Sequence, residues 1–282
     1  MNRCGKGFII TVLVLVVLSI YLFATAPVLL PDNDETTASG KTIPIAMVLT
    51  LVAAENDVAR ALYTKEIVGA GQRAGLKFDE HWWDEDIEAG PLPALFLRET
   101  SSSLQRSEIP LGLFLGSDFP ISSANKFQGI QTEKFGLIKQ TGDAQFFYAS
   151  DTKLYTAMFA DYASSQPCVA CHNGHPNSPK RDWVLNDVMG ATTWSYPKET
   201  VTAGEMVNII SSVRQGFKDA YTAYIEAAQK FSRKPEIGEK WPRDGYFLPR
   251  VDVFISEFEQ WASSNTVNKI IGAVASTQFS NK

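Results

Sequence analysis

An uncharged stretch near the N-terminus constrains the fold of this 282-residue chain more than any other feature. It runs from Phe8 to Leu30, which is long enough to cross a bilayer. Arg3 and Lys6 precede it, and cations on that side place the N-terminus in the cytoplasm. Residues 1–30 are therefore predicted to be a single-pass anchor in the inner (cytoplasmic) membrane. The bulk of the chain would lie in the periplasm or an equivalent extracytoplasmic space.

A cleaved signal peptide is the alternative. Ala24-Thr25-Ala26 has the spacing of small residues that marks a cleavage site. However, Pro27 would follow the cut and obstruct the peptidase, and the apolar stretch continues to Leu30. We favour the uncleaved anchor, and both interpretations export the body of the protein.

The composition of the whole chain is that of a globular protein, with 45% hydrophobic and 20% charged residues. A net charge of −5 without long basic runs makes a nucleic-acid partner a poor fit, because phosphate binding needs clustered cations. Three cysteines are too few for a disulfide scaffold. Ile43–Ala54 is apolar but too short to span a membrane, so it is predicted to be a buried or helix-entry segment.

The polar residues 31–42 are predicted to form a linker, and residues 43–200 an α+β domain with helices on one side of a small sheet. Periodicity and turn residues assign the elements. Helices are predicted over 45–74, 94–106 and 126–140, and strands over 111–116, 145–149, 153–160 and 188–196. Residues 201–282 read as a separate helical segment. Apolar residues from Met206 to Phe231 keep the spacing of a long amphipathic helix, and a further helix starts near Phe254. The apolar stripe of the long amphipathic helix would pack on the domain or form the interface of a homodimer.

The string Cys168-Val-Ala-Cys171-His172 carries the chemistry. Two thiols at this spacing followed directly by histidine are the attachment signature of a c-type haem. Each thiol forms a thioether to the haem, and the imidazole binds the iron from the proximal side. The motif predicts one covalent haem c, with His172 as the iron ligand.

Three other uses of these residues stay open. A zinc site would need Cys168, Cys171, His172 and His175 to converge on a tetrahedron. A redox dithiol would need the cysteines at the start of a helix, and Pro167 and the following Asn-Gly-His-Pro do not predict one. The third alternative is a structural disulfide.

The sixth iron ligand is not identified by the sequence. His175 follows His172 by three residues, so we expect a contact with the haem edge or a propionate rather than the opposite axial position. Met158 is the first candidate, because it lies in an apolar, strand-like run close to the motif. The other exported candidates are His81, Met47, Met189 and Met206.

From Asn56 to about Trp194 the chain resembles a bacterial domain-of-unknown-function family of exported, single-haem c-type proteins. The strongest match is the string from Cys168 to Trp183, CVACHNGHPNSPKRDW, followed by Asp187-Val188 and Gly190. Weaker matches are Asn56…Arg60…Tyr63, Pro93-Ala-Leu-Phe96-Leu-Arg98 and Ser117-Asp118-Phe-Pro120. Val184 and Asn186 depart from the lysine and glycine of the family pattern, so we expect an altered turn and one positive charge fewer near the haem.

The resemblance implies a PAS-like antiparallel sheet with flanking helices, and it adds Asn173 to the haem-binding residues. Family members often form the input domain of kinases, cyclases and chemoreceptors. It therefore implies a membrane-anchored redox or gas sensor that is read by a signalling or redox partner protein. No output segment follows residue 200, so a tethered one-electron carrier is the alternative. A peroxidase would need a distal acid–base pair, and none is evident, so we favour a role without catalysis.

Overall fold

A four-stranded antiparallel sheet lies at the centre of the fold. The computed structural model describes residues 42–84 and 86–279, with side chains for all of these except 265 and 267–279. The strands are β1 (Ile43–Pro44), β2 (Phe78–Asp79), β3 (Gly90–Pro91), β4 (Gly112–Gly116), β5 (Gln145–Ala149), β6 (Leu154–Tyr162), β7 (Val188–Tyr196), β8 (Thr200–Val201), β9 (Glu236–Gly238) and β10 (Phe247–Pro249). The central sheet has the order β4-β7-β6-β5, and the other strands form three two-stranded pairs.

The helices are α1 (Ile45–Leu62), α2 (Ala70–Ala74), α3 (Pro93–Arg106), α4 (Ile130–Thr141), α5 (Gln166–Gly174), α6 (Ala203–Ala228) and α7 (Val251–Phe279). A π-helical turn, Tyr63–Gly69, joins α1 to α2, and short 3-10 turns occupy Ser123–Asn125 and Pro242–Asp244. The mixed α+β class is confirmed.

Alternating side chains give the central sheet two buried faces. Leu113, Ala157 and Trp194 lie side by side across β4, β6 and β7 and join the main hydrophobic core, on the side of α1. In the next row Met158 points to the opposite face, where Phe135 of α4 covers it. The expectation of helices on one side only was therefore wrong. The α4 segment was assigned by its own periodicity, which does not tell which face of a sheet a helix covers.

The predicted first helix is confirmed, with one change inside it. Ile45 and most of the apolar segment that follows are buried in α1, as a helix-entry segment requires. The helix then widens into the π-helical turn before α2, and Gly75 ends it in a left-handed conformation with φ of 96°. Glycine adopts this φ without steric cost.

The C-terminal helices share the main core with the residues before 200. The chain from Thr42 onward forms one compact unit, with Phe217 of α6 and Phe258 of α7 fully buried beside α1. The division between 43–200 and 201–282 therefore does not separate two cores. Thr202 and Glu205 form a capping box that starts α6.

A buried ionic network ties three helices together. The Glu55 carboxylate on α1 is completely buried and accepts hydrogen bonds from the Arg214 guanidinium on α6, at 2.8 and 2.9 Å. The Thr266 hydroxyl on α7 donates to the same carboxylate at 2.7 Å. Burial of this charge is tolerated because the guanidinium pairs with both oxygens.

Within residues 42–279, no helix is long and apolar enough to cross a bilayer. The predicted anchor and almost all of the linker lie outside the described residues.

Candidate functional site

The cysteine–histidine motif lies on a helix, contrary to the sequence expectation. Helix α5 runs from Gln166 to Gly174 and follows β6 of the central sheet. Pro167 lies in its first turn, where a missing N–H costs nothing because that group has no partner inside a helix. The glycine of the Asn-Gly pair ends the helix, so these two residues mark its ends rather than exclude it.

The helix brings the three predicted functional groups within about one turn of each other. Residues three and four apart are neighbours on an α-helix, so Cys171 and His172 each lie one turn after Cys168, although these two consecutive side chains point in different directions. Cys168 is half-buried, with its sulfur 3.0 Å from the Ser165 hydroxyl. Cys171 is exposed. Two thiols and one imidazole within one turn are the groups that a haem attached by two thioethers and ligated once requires.

The two cysteines are free thiols rather than a disulfide. Burial raises the pKa of the Cys171 thiol, and the nearby charges of Glu80 and Cys168 raise it further. Cys168 lies in the first turn of a helix that follows a central strand, which is the position that a redox dithiol requires. The raised pKa of Cys171 disfavours the reactive thiolate at that second position. Among the residues that the structure describes, no three His, Cys, Asp or Glu side chains converge as metal ligands, so the zinc alternative lacks its tetrahedron.

His172 has the properties of an iron ligand. Burial lowers the pKa of its imidazole, against an opposing effect of Asp161, so the neutral form that binds metals is present at pH 7. Its Nδ1 atom is buried and has no hydrogen-bond partner among the described residues. A buried polar atom without a partner is costly, and this one belongs to the residue that the motif assigns to the iron. The residues present therefore fit a c-type haem.

Both ring nitrogens of His175 are already engaged. Its Nδ1 accepts a hydrogen bond from the backbone N–H of Asn177 at 3.1 Å. The other nitrogen, Nε2, then carries the proton and donates to the Glu80 carboxylate, whose oxygens both lie 3.2 Å away. To bind the iron, His175 would have to give up one of these hydrogen bonds.

Asn173 holds the segment after the motif in place. Its side-chain amide donates to the Trp183 carbonyl and accepts from the Trp183 N–H, both at 2.9 Å. Asn186 closes the following turn with φ of 69°. Asparagine tolerates this left-handed region better than most residues, so it can replace the glycine of the family pattern there.

An ion pair beside α5 was not predicted from the sequence. The Arg60 guanidinium on α1 contacts the Asp161 carboxylate at the end of β6, at 2.7 Å. It also lies 3.4 Å from the Thr192 hydroxyl on β7. Arg60 belongs to one of the weaker matches to the family, and this match was the feature of the sequence that could have identified it. Its partner lies 101 residues further along the chain, and local spacing cannot reveal that pairing.

The candidate sixth ligands lie in different surroundings. Met158 is fully buried in the core on the face of the sheet opposite to Asp161. Met189 lies in the small hydrophobic cluster against which Val169 of α5 packs. His81 is exposed, as expected, and lies 3.5 Å from Asp79. The remaining two are Met47, half-buried on α1, and Met206, which packs on the main core.

Comparison with known proteins gives no relative: no family model, no curated protein and no solved structure matches this chain. The argument for a function therefore depends on the motif and the geometry around it.

Proposed function

We propose that this chain is a membrane-anchored, extracytoplasmic c-type haem protein that acts as a redox or gas sensor. Cys168 and Cys171 hold one haem by thioethers, and His172 binds its iron. The observation that carries the proposal is the single turn of α5 in which two free thiols accompany a neutral imidazole with a buried, unpaired Nδ1. The bound haem supplies an iron that changes oxidation state and takes up small ligands.

The resemblance supports a haem domain in a second way, because its separate segments pack together. The rings of Tyr63 and Phe96 stack with their centroids 4.3 Å apart. These residues belong to the first and second of the weaker matches, so the two segments are in contact. Phe119 of the third match meets Trp183 of the main motif edge to face, at 6.3 Å. Segments far apart in the sequence are thus brought together in two packed pairs.

A sensor needs an iron position that can exchange its ligand. Three of the candidates for that position have other contacts: His175 uses both nitrogens, His81 lies exposed beside Asp79, and Met158 is in the core. This favours an exchangeable sixth site. The exposure of Cys171 favours the second candidate, a tethered one-electron carrier, because an exposed haem edge lets a redox partner approach.

Haem attachment is tested by expressing the full chain in a host that matures c-type cytochromes. The wild type should keep its haem through a denaturing gel, detected by peroxidase staining. Cys168→Ala with Cys171→Ala should lose the stain, whereas Cys4→Ala, at the cysteine outside the motif, should keep it. An unstained wild-type protein would refute the proposal, and zinc bound to it would favour the zinc site instead.

The two functions are separated by the spectrum of the ferrous protein with and without carbon monoxide. A sensor should bind carbon monoxide readily and change its spectrum. A fixed His–Met or His–His spectrum that carbon monoxide leaves unchanged would favour the electron carrier, and Met189→Leu would then show whether Met189 is the ligand. N-terminal sequencing of the membrane-extracted protein tests the anchor, since a mature start at Pro27 would refute it.

A further inference from the structure

A charge pair is fixed next to the proposed haem helix. Arg60 reaches Asp161 and Thr192 on two neighbouring strands, so its guanidinium is held from two directions. Both members of the ion pair are about a quarter exposed. Burial lowers the pKa of Arg60, but Asp161, together with Asp57 and Cys168, raises it, and the pKa is raised overall. Arg60 therefore keeps its positive charge at neutral pH.

The two charges act on different parts of the motif. The electrostatic influence of Cys168 reaches Arg60, and that of Asp161 reaches the imidazole of His172. The chain path agrees, because Asp161 lies four residues before Ser165, whose hydroxyl contacts the sulfur of Cys168. The pair thus lies close enough to α5 for its charges to act on the motif.

On the basis of the proposed haem, we infer that Arg60 and Asp161 together set the reduction potential of its iron. Loss of an electron adds one positive charge to the iron. A nearby cation disfavours that charge and raises the potential, whereas a nearby carboxylate lowers it. Charges that are partly shielded from water act over longer distances than surface charges, because salt screens them less. In the wild type the two influences oppose each other.

The inference predicts shifts of opposite sign. Arg60→Gln leaves the Asp161 carboxylate unopposed and should lower the midpoint potential, whereas Asp161→Asn should raise it. The double variant should return close to the wild-type value. Arg60→Lys keeps the charge and should stay near the wild type even though it loses the forked contact. A purely structural role would not give opposite signs, because both single variants break the same ion pair.

The measurement is a spectroscopic redox titration of the haem-loaded full chain at pH 8. Arg250 and Asp252 form a distant, exposed pair whose variants Arg250→Gln and Asp252→Asn serve as matched controls and should not shift the potential. Equal potentials, or shifts in the same direction, for Arg60→Gln and Asp161→Asn in haem-stained protein would overturn this inference alone. A wild type without stainable haem would overturn the proposed function as well.

Discussion

Two substitutions can decide whether Met158 is an iron ligand, as the sequence suggests, or a core-packing residue, as the structure suggests. The sequence ranks it first among the sixth-ligand candidates, whereas the structure buries it completely against Phe127, Phe135 and Ile138. The rings of Phe127 and Phe135 also pack against each other, with centroids 5.0 Å apart. We expect Met158 to act by packing and not through the iron.

The magnitude follows from this burial. Removing a fully buried methionine side chain loses roughly 1.5–3 kcal/mol of transfer free energy. The cavity that remains adds to this loss, and such substitutions cost roughly 2–5 kcal/mol in total. We expect Met158→Ala to destabilise the protein by about 3 kcal/mol. In a unit of this size that lowers the melting temperature by roughly 6–12 °C. Met158→Leu conserves volume and should cost less than about 1.5 kcal/mol.

The assay combines thermal unfolding with the optical spectrum of oxidised and reduced protein. Both variants should keep the wild-type haem spectrum, and only Met158→Ala should melt early. Met189→Leu is the matched control, because Met189 packs with the motif helix. If Met158→Leu changed the axial-ligand bands while the melting temperature stayed the same, Met158 would be the iron ligand and the packing argument would be refuted.

Two further predictions concern the frame around the site. Arg214→Met removes the partner of the buried Glu55 carboxylate and should lower the free energy of unfolding in urea by roughly 2–3 kcal/mol. This is less than the ~3–5 kcal/mol of fully buried pairs, because the Arg214 side chain is 31% exposed. A decrease of less than about 0.5 kcal/mol would contradict this prediction. Gly190→Ala would place the new Cβ 2.4 Å from the Gly116 carbonyl oxygen, so it should destabilise the protein by roughly 1–3 kcal/mol. The new Cβ of Gly136→Ala has no atom within contact distance, so this variant should stabilise its helix by roughly 0.5–1 kcal/mol. Equal stabilities of the two glycine variants would contradict the close approach of the strands.

Much of the fold could be predicted because its elements carry strong local signals. Strand β7 was predicted with the bounds that the structure gives it, and the β5–β6 hairpin was recognised from its turn. Helix α3 differs from its prediction by one residue at its start. These segments combine a clear hydrophobic period with turn or proline residues at their ends. Their bounds could therefore be predicted without knowledge of tertiary contacts.

The remainder depended on information that no local window contains. Helix α5 was missed because a proline and a glycine inside nine residues were taken as breakers, although each stands at an end of the helix. Which face of the sheet α4 would cover depends on how the strands pair. For the site, the motif identified both cysteines and His172, but the Arg60–Asp161 pair needed the three-dimensional fold.

The contact of Thr266 with Glu55 joins parts of the chain that are 211 residues apart in sequence. Contacts of such separation form late, because the intervening chain must first be ordered. As the chain is made from its N-terminus, the string from Cys168 to His172 emerges before α7, the helix that completes the core around α1. The proposed haem attachment would therefore have a period in which the motif is already made and α7 has not yet closed the core.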